Sequence, residues 1–290
     1  MRIVVLDGYT LNPGDNPWDE LAVLGELTVH DRTAPHQVVD RARGAEILLT
    51  NKTPVSREAI AALPCLRYIG VLATGYNIVD TQAAAERGIP VTHVPEYGTH
   101  SVAQFVFALL LELCHRVGSH DRLVHQGEWA RRGDFSFWEG PLVELAGKTL
   151  AVVGFGRIGR RVGELGHAFG MPVLAVDPTR CDPPVYQPFA WASLEQACER
   201  ADVLSLNCAL TEANRRLIDA AALARMKSGA FLINAARGPL IDEEALAEAL
   251  NSGRLAGAAL DVVSVEPIRP ENPLLAARNC LITPHIAWAT

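Results

Sequence analysis

The chain has 290 residues, with 26 Lys and Arg against 33 Asp and Glu, a net charge of −7, and 49% hydrophobic and 20% charged residues. That is enough chain and enough apolar content for two compact units with cores of their own, and it excludes disordered and collagen-like classes. The acidic balance leaves no basic excess to neutralise phosphates, so neither a nucleic acid nor a membrane is expected as a partner.

Short β-branched runs alternate with helical patterns from the start of the chain. Positions 2–7, 45–51, 66–72 and 89–94 read as buried parallel strands, separated by helix-like stretches such as 56–62 and 81–87. With a strand beginning at Arg2, no signal peptide is expected. A long apolar-periodic helix is expected at about 100–117, and its apolar run, 105–111, is too short to span a bilayer. Strands resume at 149–154, 173–177, 203–208, 230–234, 256–262 and 280–283. Ser193 and Gln196 make a capping box for a helix at 194–200, and Gly253 stops a helix beginning near Asp242.

Alternating strands and helices imply an α/β protein, and two such series imply two doubly wound parallel-sheet domains. The first, of flavodoxin-like type, is expected over 1–98, and the second, of Rossmann type, over 99–285, with 286–290 returning towards the first. Cys65, Cys114, Cys181, Cys198, Cys208 and Cys280 form no C-x-x-C pair and read as reduced, buried thiols of a cytoplasmic protein. No His-x-x-x-His and no carboxylate cluster on one helix face point to a metal, and Ser101 has no base motif beside it for nucleophilic hydrolysis.

The strand at 149–153 runs directly into Gly154-Phe-Gly-Arg-Ile-Gly159, which opens a helix reaching about Phe169, and Asp177 ends the next strand. That context is what makes a G-x-G-x-x-G string a dinucleotide site. Gly154 permits the tight turn, Gly156 lets the backbone approach a pyrophosphate, and Gly159 lets the helix pack on the strand. The helix N-terminus faces the phosphates with its partial positive charge. Asp177 accepts from ribose hydroxyls and repels a 2′-phosphate, which favours NAD over NADP, with Arg180 close enough to soften that preference. Gly163 and Gly166 weaken the following helix by up to about 1 kcal/mol each relative to Ala.

Three further segments sit just past the ends of strands, where a doubly wound sheet places its chemistry. They are Asn234-Ala-Ala-Arg-Gly-Pro239, Asp261-Val-Val-Ser-Val-Glu-Pro267 and Thr283-Pro-His-Ile-Ala-Trp288. Reduction of a keto acid needs a cation for its carboxylate and carbonyl, an acid to protonate the new alkoxide, and a group to tune that acid. Arg237, His285 and Glu266 supply one of each.

With the glycine loop, these segments resemble the D-isomer-specific 2-hydroxyacid dehydrogenase family, and within it the glycerate dehydrogenase/hydroxypyruvate reductase branch. The closer match lies in Ala73-Thr-Gly-Tyr-Asn-Ile-Val-Asp80, Pro95-Glu-Tyr, Ser101-Val-Ala-Gln104, Phe135-Ser-Phe-Trp138 with Pro141-Leu, and His285-Ile-Ala-Trp-Ala-Thr290. His93 stands where the family commonly has Asn. The resemblance implies that His285 is the general acid in reduction and that Glu266 favours its imidazolium and raises its pKa. It implies that Arg237 grips the substrate, that the backbone amides of Ala73, Thr74 and Gly75 cradle its carboxylate, and that Asp261 holds the nicotinamide carboxamide. Val102, Arg157, Ile158 and Ala235 join the cofactor-binding set, and Trp138 and Trp288 are either core residues or walls of the substrate site.

The same resemblance implies reduction of hydroxypyruvate or glyoxylate by NADH in a cleft that closes on substrate, and a homodimer paired through the helical region at 100–125. Members of that family usually continue for another helix or so beyond the position of Thr290, returning to the first domain and packing on it. Oxidation of 3-phosphoglycerate or D-lactate is the sister activity, and an NAD-sensing corepressor on the same scaffold is the alternative outside enzymes.

Overall fold

Residues that are apolar on both sides of a strand demand cover on both faces, and the computed structural model, which describes residues 1–12 and 14–290, meets that demand twice. Contacts divide the chain into Met1–Tyr97 and Gly98–Thr290. In the first unit the order is β1 (Arg2–Val5), α1 (Asp19–Ala22), β2 (Glu26–Val29), α2 (Val38–Arg41), β3 (Ile47–Thr50), α3 (Arg57–Ala62), β4 (Tyr68–Val71), α4 (Thr81–Glu86) and β5 (Val91–His93). The sheet is wholly parallel in the order β2-β1-β3-β4-β5, the flavodoxin-like arrangement. Val4, Leu48 and Ile69 pack into one core, whereas Ile3, Val5 and Leu49 pack on the opposite face, as the two-residue strand period requires. The short helices hold their first turns by side-chain caps, Ser56 accepting from the Ala59 amide and Asp80 from that of Ala83.

The second unit runs α5 (Thr99–His115), α6 (Val117–His125), α7 (Glu128–Arg132), β6 (Leu150–Val153), α8 (Arg157–Ala168), β7 (Val173–Val176), β8 (Phe189–Trp191), α9 (Leu194–Arg200), β9 (Val203–Leu206), α10 (Ala220–Arg225), β10 (Phe231–Asn234), α11 (Glu243–Asn251), β11 (Gly257–Leu260) and β12 (Cys280–Ile282). Its sheet is parallel throughout, ordered β12-β11-β10-β9-β6-β7-β8. Counted from β6, that is the Rossmann order 3-2-1-4-5-6 with one strand added at the far edge. Helix α5 buries Val106, Leu110 and Leu113 against Leu150 and Val152.

Several elements differ from the sequence reading. Neither β2 nor β8 is anticipated, because both are edge strands, short and only partly buried, and carry little apolar periodicity. The helix expected to reach 117 ends at His115, and Arg116, with φ 51, turns the chain into α6. The Glu112 carboxylate accepts the Gly118 amide across that break. The change of unit falls after Tyr97. Residues 286–290 belong with the second unit, where the Ile286 and Ala287 amides donate to the Asp261 carboxylate. Cys65 and Cys181 are exposed, unlike the buried thiols expected.

Gly163 and Gly166 are packing residues. A β-carbon at 166 would lie 2.4 Å from Leu150 Cδ2, and one at 163 would lie 2.5 Å from the Tyr186 hydroxyl. Among the described residues no single helix is long and apolar enough to cross a membrane.

Candidate active site

The turn between β6 and α8 needs all three of its glycines for separate reasons. Gly154 has φ +89, and a β-carbon there would fall 2.5 Å from the Cys208 amide nitrogen. Gly159 faces the carbonyl oxygen of Gly154, which a β-carbon would meet at 2.0 Å, so α8 can lie this close to β6 only with glycine at that position. At Gly156 a β-carbon would meet nothing within 4 Å, so the backbone there is open to a ligand. Gly156 is also the N-cap of α8 and has no side chain to offer the first-turn amides, leaving the positive end of a twelve-residue helix beside the turn.

Asp177, one residue past β7, ties the turn in place. Its Oδ2 accepts the Phe155 amide at 2.8 Å and its Oδ1 accepts the Thr179 amide at 2.8 Å. A carboxylate has about four acceptor positions, so two remain for hydroxyl groups. Past β9, the buried Asn207 Oδ1 has no hydrogen-bond partner, while its Nδ2 donates to Ser205. A glycine cradle, a helix N-terminus, an acidic residue with spare acceptors and an orphaned amide oxygen together fit a dinucleotide. Arg180, a little further along the same loop, donates to the Ala192 carbonyl at 3.4 Å.

Arg237 lies just beyond β10 on a loop held by a residue the sequence reading passed over. Asn234, fully buried, donates through Nδ2 to the Arg237 carbonyl at 2.8 Å and accepts the Ala236 amide at 3.0 Å. The Arg237 guanidinium donates to the Ala236 carbonyl at 2.7 Å, which uses one of its five N–H groups.

Past the adjoining strands β11 and β12 a histidine–glutamate pair is assembled. Nδ1 of His285 and Oε2 of Glu266 are 2.7 Å apart, with side chains 24% and 38% exposed, so the pair is formed yet reachable. Glu266 Oε1 accepts the Val263 amide at 3.3 Å, which fixes the carboxylate's orientation. Asp261, 1% exposed, anchors the histidine loop: it accepts from Thr283 Oγ1 at 2.6 Å and from the Ile286 and Ala287 amides at 2.9 and 2.8 Å. The resemblance gave Thr283 no role, and its hydroxyl is part of that anchor.

In the first unit Ala73, Thr74 and Gly75 follow β4. Thr74 Oγ1 donates to the Val94 carbonyl at 2.9 Å, and His93 Nδ1 lies 3.0 Å from the Thr74 carbonyl. His93 also packs its ring 5.1 Å from that of Tyr76. So the histidine found where Asn is common holds this loop, a role no local pattern announces. The amides of 73–75 make no hydrogen bond among the described residues.

Of the remaining expected cofactor residues, Val102 is buried in α5 and Ile158 is half-buried in α8, while Arg157 opens that helix and is exposed. Ala235 is half-buried directly after β10. Trp138 is 65% exposed and Trp288 half-buried. Among the described residues no group of three or more His, Cys, Asp or Glu could hold a metal ion.

A parallel sheet in Rossmann order, a glycine turn tied to an acidic residue, and a histidine–glutamate pair at the same carboxyl edge define a dinucleotide-dependent oxidoreductase. Residues 107–287 match the family described as D-isomer specific 2-hydroxyacid dehydrogenase, NAD binding domain. The chain belongs to that family. It is 49% identical over 292 aligned positions to a hydroxypyruvate reductase of Blautia hydrogenotrophica, covering 100% of this chain and 91% of that one. Among solved structures, the TT0316 protein of Thermus thermophilus is 37% identical with a TM-score of 0.83, covering 100% of this chain and 91% of that one. An NADPH-dependent glyoxylate/hydroxypyruvate reductase of Sinorhizobium meliloti, in complex with NADP and malonate, is 31% identical with a TM-score of 0.85, over 100% and 87% of the two chains. The chain is therefore a 2-hydroxyacid dehydrogenase with an NAD-binding domain, in the company of hydroxypyruvate and glyoxylate reductases.

Proposed function

We propose that this dehydrogenase reduces a small 2-keto acid of the hydroxypyruvate or glyoxylate type to the D-2-hydroxy acid, with NADH as reductant. The observation that carries this reading is the His285–Glu266 contact of 2.7 Å at the carboxyl ends of neighbouring strands, next to the loop bearing Arg237. NADH, when bound, supplies the hydride that reduces the keto carbon. Arg237 binds the substrate's carboxylate and carbonyl, polarising the C=O through its remaining N–H donors. His285 gives the proton to the oxygen that becomes the hydroxyl, and takes it back in oxidation. Glu266 accepts from His285 Nδ1, so the transferred proton is the one on Nε2.

Ala73, Thr74 and Gly75 are assigned the substrate carboxylate, on the strength of their uncommitted amides. Gly154, Gly156, Arg157, Ile158 and Gly159 are assigned the pyrophosphate, Asp177 the adenosine ribose, and Val102 and Ala235 the walls of the cofactor site. Asp261 accepts three hydrogen bonds and keeps one acceptor position for the nicotinamide carboxamide. The carboxylate of Asp177 favours NADH over NADPH by repelling a 2′-phosphate. The acting form is a cytoplasmic homodimer paired through the helical region at 100–125, where Val117 and Val124 are exposed.

The test is the loss of 340 nm absorbance with hydroxypyruvate, glyoxylate, pyruvate and phosphohydroxypyruvate in parallel, NADH against NADPH. Rapid NADH-dependent turnover of hydroxypyruvate or glyoxylate is expected. NADH binding without turnover of any keto acid would replace the enzymatic reading by a cofactor-sensing one, and a monomeric mass in light scattering would remove the dimer.

A further inference from the structure

His285 occupies a backbone conformation that side-chain-bearing residues seldom adopt, with φ +57. Such a residue stays in place only where its surroundings outweigh the local cost. On the amino side, the His285 amide donates to the Asp261 carbonyl at 2.8 Å and also reaches the Thr283 carbonyl at 3.0 Å. On the carboxyl side, the peptide joining His285 to Ile286 is gripped at both ends. Its N–H donates to Asp261 Oδ1 at 2.9 Å, and its C=O accepts the indole N–H of Trp288 at 2.8 Å. Asp261 therefore sets one peptide plane and half of the next, and Trp288 supplies the remaining half.

We propose that Trp288 is a positioning residue for His285, its indole N–H locking the 285–286 peptide so that the imidazole is presented in one orientation. This rests on the reading of His285 as the acid and base of the reaction. The Glu266 contact fixes the rotation of the ring but not the peptide plane from which the side chain projects. Rotation of that plane displaces the distal ring nitrogen, and a displacement of about 1 Å at a reacting group can cost about a hundredfold in rate. Trp288 acts through His285 and is not assigned contact with substrate.

The experiment compares the full chain with Trp288→Phe, which keeps an aromatic ring and removes the donor. A second variant carries benzothienylalanine at 288, in which sulfur replaces the indole N–H at nearly unchanged shape. Measured are kcat and KM for the keto acid turned over fastest, the NADH Kd by fluorescence, and the His285 imidazole NMR signals of the cofactor-free protein, assigned by their loss in His285→Gln. A fall of about tenfold in kcat is expected, with KM and NADH Kd within about twofold of the parent and the His285 signals shifted or broadened.

Unchanged kcat and unchanged His285 signals in the benzothienylalanine protein would overturn the proposal. So would a rise in KM or an altered substrate preference at constant kcat, which would make Trp288 a wall of the substrate site. The two readings fail separately: turnover retained by His285→Gln removes the acid–base assignment, whereas its loss there with full activity in both Trp288 variants removes only the positioning role.

Discussion

Gly238 lies directly against the main chain of Val263: a β-carbon at 238 would fall 2.0 Å from the Val263 carbonyl carbon and 2.1 Å from its oxygen. This contact joins the loop that carries Arg237 to the loop that carries Asp261 and Glu266. Neither backbone can yield without moving one of those three side chains. Gly238→Ala is therefore expected to cost about 3 kcal/mol of stability, from overpacking at a site with no room to relax. Turnover should drop with it, even though residue 238 itself does no chemistry. A urea unfolding midpoint and a kcat both equal to those of the parent would show that the loops separate easily.

Asp177 holds the glycine turn through the Phe155 amide, and the proposed cofactor site gives its free acceptors to a ribose. Removal in Asp177→Ala loses hydrogen bonds to a charged group, worth about 1.5–3 kcal/mol each. The NADH Kd should rise by one to two orders of magnitude, about 10–100-fold, and NADPH should be disfavoured less than in the parent. Fluorescence titration with both nucleotides measures this, and an unchanged ratio of the two affinities would remove Asp177 from cofactor selection.

The cysteines separate by environment. Burial pushes the Cys114 and Cys198 thiols up to about 11, and burial with the nearby Glu243 charge pushes Cys280 up to about 12. Each folded value lies above the ordinary 9.0, so the fold favours the neutral thiol. That contribution is complete below about pH 9 and is lost as pH rises from there towards 11–12. Melting temperature should fall over that alkaline window. At pH 8 a thiol reagent should modify the exposed Cys65 and Cys181 quickly, with the buried thiols following only on unfolding. Mass mapping that finds the buried Cys114 modified as fast as Cys65 would contradict this.

Gly166→Ala provides a test of sign. Helix propensity alone predicts stabilisation of about 1 kcal/mol. The close approach of α8 to β6, with Leu150 Cδ2 only 2.4 Å from the added carbon, predicts a loss of about 1–3 kcal/mol instead. Thermal denaturation decides between them, and a raised melting temperature would mean that Leu150 repacks freely.

Features whose causes are local can be read from residue order alone. The strand–glycine turn–helix at 149–169 is legible because each step of it, the apolar run, the turn and the helix start, is written in neighbouring residues. The capping box of Ser193 with Gln196 and the helix stop at Gly253 are legible for the same reason, and both form as read. The family motifs around Arg237, Glu266 and His285 are equally local in sequence. Other features depend on residues brought together from afar, and folding alone settles them. Edge strands β2 and β8 gain their conformation from pairing with a neighbour more than from their own periodicity. Whether Gly163 and Gly166 weaken or enable α8 depends on the β6 and Tyr186 atoms they face. The grip of Asp261 on residues 22 to 26 positions later exists only because β11 and β12 lie side by side in register. Hydrogen-bond geometry is set by the separation of atoms in space, and periodicity in a sequence reports only which face of an element is buried.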